Sequence, residues 1–198
     1  KTLMQNLVAH KLLRYVRLDP ESQRFYTPIA RSRAMAATIG FGSFGVLAAT
    51  TLVHNWTIAW PLVLFYAIIV VNTYFSVRAF SSITPADTTN QKAIDFIIAC
   101  IYLSLATQFE NPVGFTAIAA LLFVACIVKY KLLALVTPTH RKFIQRKIIL
   151  DWLGALLCTL AILGVATHYS YIATILFTTI NALANVYLLA IKPFYSIS

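Results

Sequence analysis

Six apolar stretches, at roughly residues 34–53, 58–77, 93–109, 113–130, 148–166 and 171–191, divide this 198-residue chain. Each is close to the ~20 residues a helix needs to cross a hydrocarbon core of ~30 Å. The third is the shortest and fits a crossing at small tilt. No two-residue alternation with regular turns appears, which argues against a membrane β-barrel. Lipid offers no water to unpaired N–H and C=O groups, so the backbone must bond within each segment, and helices remain. The expected fold is therefore all-α: a polytopic membrane helical bundle of six transmembrane helices. Composition agrees, with 60% hydrophobic and 11% charged residues, against ~45–50% and ~25% in soluble domains. A soluble globule, a disordered chain and a disulfide-stapled domain are excluded.

The 16 Lys and Arg residues orient the bundle. Lys1, Lys11, Arg14, Arg17, Arg24, Arg31 and Arg33 precede the first stretch; Arg78 and Lys92 flank the loop after the second. Lys129, Lys131, Arg141, Lys142, Arg146 and Lys147 lie between the fourth and fifth, and Lys192 follows the sixth. The intervening loops, around His54–Trp56, Glu110–Pro112 and His168–Ser170, hold none. By the positive-inside rule both termini are cytoplasmic, in a plasma or inner membrane. The net charge of +10 reads as an orientation signal and an attraction to anionic headgroups. No stacking aromatics interleave a solvated basic patch, so nucleic acid is not an expected partner. Trp56, Trp60, Tyr169 and Tyr171 mark the outer interface, and Tyr130, Trp152, Phe194 and Tyr195 the inner one.

Three segments follow. Residues 1–33 form a cytoplasmic amphipathic arm and linker, 34–192 the six-span domain, and 193–198 a short cytoplasmic tail. In the arm, Met4, Val8, Leu12, Tyr15 and Val16 share one helical face, and His10, Lys11, Arg14 and Arg17 the other. That is the pattern of a helix lying among headgroups or docked on a partner. Asp19-Pro20-Glu21 ends it. A shift of 56 residues lays Asp95 on Asp151 and Ala99 on Ala155, which suggests a duplicated hairpin.

Several polar residues interrupt the apolar stretches. Asp95 and Asp151 each sit just inside the cytoplasmic end of a span. Ionisable side chains there are often functional, although a carboxylate also suits the positive end of a helix dipole. Lys92, Lys129 and Lys147 are placed to pair with them. Thr174, Thr178, Asn181 and Asn185 follow i, i+4, i+7, i+11 spacing, one narrow helical face. Unpaired amides are costly in lipid, so this stripe points into the bundle or at another subunit. Asn72 lies at a similar depth to Asn185. Together Asn72, Asp95, Asp151, Thr174, Thr178, Asn181 and Asn185 outline a path for a solute or ion, with interhelical hydrogen bonding as the plain alternative. Ala34, Thr38, Gly42, Gly45 and Ala49 form a small-residue packing face on the first span.

Catalytic and cofactor signals are sparse. Cys100, Cys126 and Cys158 fall on different spans and read as packing residues. His54 and His168, near outer helix ends, would hold a haem or metal only if they faced each other; no cofactor is expected. Gly-x-Ser-x-Gly, His-Glu-x-x-His and phosphate-binding glycine loops are absent, as is the Gly-x-Gly-Asp context of intramembrane aspartyl proteases. The chain reads as a non-enzymatic protein that transports or binds a small solute or cation through a cytoplasm-facing polar cavity. The alternatives are a six-span sensor or regulatory module, or a structural subunit of a larger membrane complex, as a homo-oligomer or beside a partner membrane subunit.

Overall fold

The structure, a computed structural model, describes residues 20–84, 89–191 and 194–195, with side chains from residue 28 onward. The amphipathic arm over residues 4–17 and most of the C-terminal tail lie outside the described residues. The described residues form six α-helices in order: α1 (Pro20–Leu52), α2 (Trp56–Ile83), α3 (Thr89–Ala106), α4 (Pro112–Val136), α5 (Arg141–Val165) and α6 (Ser170–Val186). A 3-10 turn (Pro138–His140) joins α4 to α5, and a π-helical turn (Tyr187–Ile191) extends α6. Among the described residues five segments are long and apolar enough to cross a membrane: Pro28–Leu52, Trp56–Ile83, Pro112–Val136, Pro138–Val165 and Ser170–Ile191. The exception is α3, whose 18 residues open on the polar run Thr89-Asn90-Gln91-Lys92. Among the described residues the protein is an all-helical bundle of membrane-protein character.

The helices outrun the apolar stretches at the basic end. α4 continues to Val136 rather than stopping near Tyr130, and α5 begins at Arg141, well before Ile148. Lys and Arg are good helix formers, and their long stems let charged heads reach water from a helix still at the membrane. At the opposite face the starts of α2 and α4 carry side-chain caps. Asn55 Oδ1 accepts from the Thr57 N–H, and Asn111 Oδ1 from the Gly114 N–H, with Pro112 at the first helical position. α3 stops at Ala106 rather than Phe109, because residues 107–110 turn back, with Gln108 N–H donating to Leu105 O.

Packing is pairwise. α1 lies along α2 and α4 along α5; α3 rests on α4 and touches α1; α6 closes against α2 and α5. At the α1–α2 seam Gly45 is buried, and a Cβ there would stand 2.4 Å from the Tyr66 ring, so the close approach requires glycine. Tyr66 donates to Phe41 O across the same seam. Of the small-residue face, Ala34 and Ala49 are also buried, and Thr38 and Gly42 are half-buried. Toward the bare loops the core is aromatic: Phe65 stacks on Phe177 at 4.5 Å and meets Phe115 edge-on at 5.5 Å. Toward the basic end Phe80 packs on Tyr130 and Phe143, which stacks on Phe194.

Candidate functional site

Among the described residues, the candidate acids and amides in the basic half of the bundle fall into two separate cavities, not along one path. The first is a cavity of about 240 Å3 between α2, α4, α5 and α6, where Asn72, Asp151, Asn181 and Asn185 meet Lys147 and Tyr195. The second is a cavity of about 450 Å3 between α1, α2, α3 and α4, which holds Asp95 with Arg33, Lys92 and Lys129. Thr174 and Thr178 lie in neither.

In the first cavity an ion pair sits within α5. Lys147 and Asp151 are one turn apart, so their side chains share a face, and Lys147 Nζ contacts Asp151 Oδ1. Their side chains are only 7% and 2% exposed. Such a pair holds together because removing either partner would strand the other charge in a low-dielectric medium. The Lys147 ammonium also lies 5.3 Å from the Tyr130 ring centroid, within cation–π range. Opposite, on α6, the Asn185 amide Nδ2 donates to Asn181 O at 2.9 Å and to Asn181 Oδ1 at 3.1 Å. Tyr195, after the π-helical turn, donates to Asn72 Oδ1 at 3.0 Å. Among the described residues three buried polar atoms have no partner: Asp151 Oδ2, Asn181 Nδ2 and Asn185 Oδ1. Buried polar atoms are seldom left so.

The second cavity is more open. Lys129 on α4 reaches Asp95 on α3 at 2.5 Å, and the Asp95 side chain is 54% exposed. Ser76 and Tyr130 hydroxyls bond at 2.7 Å and line this cavity, while the Tyr130 ring faces Lys147 of the first. At mid-depth, Tyr102 stacks on Phe41 at 4.4 Å and bonds Thr73 Oγ1 at 2.5 Å.

The outer part of the α6 stripe serves the seam. Thr178 donates to Pro61 O on α2 at 2.9 Å, and Thr174 to Ser170 O in its own helix at 2.7 Å. Both threonines are buried beside Phe177. At the far face, the Glu110 carboxylate accepts from the backbone N–H groups of His54 and Asn55, tying the α3–α4 turn to the α1–α2 turn. Those two donors hold the Glu110 carboxyl below its ordinary range. His54 Nδ1 lies 3.0 Å from Leu52 O and 3.8 Å from Glu110 Oε2. His168 is exposed on the α5–α6 turn. Among the described residues no group of three or more His, Cys, Asp or Glu side chains is arranged to hold a metal.

In the sequence Lys147 is legible only as a partner for an aspartate, and Tyr195 only as an interfacial aromatic. The Lys-x-x-x-Asp spacing was the available signal for the first. Nothing in the sequence places Tyr195 against Asn72, because that contact depends on how the chain turns after α6. No protein-family model, curated protein or solved structure matches this chain.

Proposed function

We propose that this is a six-span membrane protein that binds, and carries across the bilayer, a small solute held in the α2–α6 cavity. One observation carries the reading: a buried ion pair and three partnerless polar atoms belong to residues lining a single chamber. Polar groups left unpaired in lipid are expensive, and a solute that meets them offsets that cost. Ionisable groups within membrane spans are a usual mark of such sites. A volume of about 240 Å3 is far more than one water needs. Above the chamber, the Phe65–Phe177 stack and the Thr178–Pro61 bond close the seam. A closed outer half suits a carrier that alternates its access rather than an open pore.

The sixth crossing in this reading is α3. At ~1.5 Å per residue its 18 residues extend about 27 Å, close to a hydrocarbon core of ~30 Å. Its two ends also meet partners at opposite faces, Asp95 with Lys129 and the following turn with His54 and Asn55. With six crossings both termini share the basic side, which faces the cytoplasm and its anionic headgroups.

Cysteine labelling tests the proposal. Cys100, Cys126 and Cys158 are replaced by serine, and Leu188→Cys, on the cavity wall, is probed in sealed vesicles with a small, membrane-impermeant methanethiosulfonate. Modification from the side of the basic loops is expected, with Leu183→Cys, 65% exposed on the outer surface of α6, left unmodified. Modification of Leu188→Cys only from the opposite side, or not at all, overturns the reading.

A further inference from the structure

We propose that the solute of the α2–α6 cavity is uncharged and carries a carboxamide or an equivalent planar donor–acceptor group. This inference rests on reading that cavity as a solute site, and it follows from the charge and the hydrogen-bonding valence of the lining.

The charge is already balanced. Lys147 and Asp151 neutralise each other in a direct contact, and the other polar residues of the wall, Asn72, Asn181, Asn185 and Tyr195, carry none. A cation or an anion entering would leave water without a counter-charge to receive it. The pair acts as a fixed dipole rather than as a counter-ion for cargo.

The valence is specific. Asn181 O is a main-chain carbonyl and only accepts, so the amide group facing it from Asn185 must be the nitrogen. Asn185 Oδ1 is then the free end. The same nitrogen donates to Asn181 Oδ1, which leaves Asn181 Nδ2 as the free end of that amide. These bonds settle which way both side chains are turned, a choice that must otherwise be assigned. The unmet groups are two acceptors, Asp151 Oδ2 and Asn185 Oδ1, and one donor, Asn181 Nδ2. Their complement is two donors and one acceptor, which a primary carboxamide holds in one plane. An ammonium or amidinium brings donors only, and a carboxylate acceptors only. Either ion leaves at least one buried group unmet, and sites built for hydrogen bonding reject such analogues strongly. The three atoms are shut off from solvent as they stand. Terminal torsions of Asn and Asp are broad, and the proposal requires a turn of each side-chain end that opens the atom to the chamber while the Asn185–Asn181 bonds persist. Phe123, Leu157 and Ile180 supply an apolar wall for a short hydrocarbon substituent.

Three isosteric probes separate the possibilities: acetamide, acetate and acetamidinium share one shape and one reporter methyl. Saturation-transfer NMR is run on the full chain in nanodiscs of neutral lipid at neutral pH. Acetamide is expected to bind at least about tenfold more tightly than either ion, and Asn181→Leu, with its unfolding midpoint checked, is expected to weaken that signal. Preference for acetate or acetamidinium overturns the inference and leaves the solute site standing. Silence from all three probes also overturns it, with water alone meeting the orphan atoms. The solute reading itself then stands or falls with the labelling of Leu188→Cys.

Discussion

Asp95 and Asp151 read alike as letters: each is an acid near the basic end of a helical hairpin, 56 residues apart. In the fold they part company. Asp95 lies in the second turn of α3 and reaches sideways to Lys129 on α4, half in solvent. Asp151 lies nearly three turns into α5, because that helix starts at Arg141, and it pairs with Lys147 of its own helix out of reach of water. Where a helix begins, and what stands over it, decides whether the same carboxylate is a surface clasp or a buried charge. The energetic consequences differ by several-fold, and that difference is measurable.

The largest effect is expected at the buried pair. Asp151→Leu leaves the Lys147 ammonium without its partner, a loss of about 3–5 kcal/mol. Unfolding by SDS in mixed micelles measures it. Lys147→Met together with Asp151→Leu removes both charges and is expected to recover stability to within about 1 kcal/mol of wild type, or to exceed it, because apolar replacement of a buried pair is often neutral or better. Equal losses in the single and double variants would mean that the pair is not desolvated as the geometry implies, and would erase the contrast with Asp95.

The stripe on α6 sharpens the same contrast along one helix. Thr178→Val removes the hydroxyl bond to Pro61 O, and interhelical bonds of this kind contribute about 0.6–1.7 kcal/mol. Asn181→Leu removes an amide whose nitrogen has no partner and whose oxygen accepts only from Asn185 Nδ2, a donor that keeps its bond to Asn181 O, so its cost is expected to be smaller despite the larger chemical change. An Asn181→Leu loss exceeding that of Thr178→Val would place Asn181 among the packing residues and not the chamber.

The apolar stretches carried most of the architecture. Their lengths foretold helices, and the loops around His54–Trp56 and Glu110–Pro112 that separate them hold the Asn55 and Asn111 caps. The basic ends were less legible, since Lys and Arg propagate a helix as readily as they end a span. Helix α5 therefore gained two turns over its apolar run, and Asp151 went deeper than its place at the start of that run suggested. Within the stripe, one-dimensional spacing put Thr174, Thr178, Asn181 and Asn185 on a common face, and all four are buried. It could not say that the outer pair meets backbone while the inner pair meets a chamber. That division comes from Pro61 and Phe65 on α2, which fill the space beside Thr178 and Phe177 but not the space beside Asn185.

A smaller effect is expected at the exposed clasp. The Asp95 side chain is 54% exposed and that of Lys129 21%. Solvent screens such a pair, so Asp95→Asn is expected to change stability by no more than about 1 kcal/mol, and less at high salt. The comparison breaks if this substitution rivals Asp151→Leu in the same unfolding measurement, since Asp95 would then be desolvated in a way its exposure denies.

The smallest effect concerns a third carboxylate, at the opposite face. About a third of the Glu110 side chain is exposed, and its carboxyl is held below the ordinary range by the Asn55 and His54 N–H donors. A depressed folded-state pKa contributes stability that is present above the unfolded value and is lost as pH falls through the folded one. The clasp between the α1–α2 and α3–α4 turns should thus hold at neutral pH and release only in acid, below the usual glutamate value of about 4.3. Amide proton shifts of His54 and Asn55 report it directly: both should move with a common midpoint under that value, and both movements should vanish in Glu110→Gln. A midpoint at or above the ordinary value would mean that the two N–H groups do not favour the carboxylate. Glu110 would then stand with Asp95 as a surface acid governed by solvent, leaving Asp151 as the one carboxylate of the three whose surroundings set its behaviour.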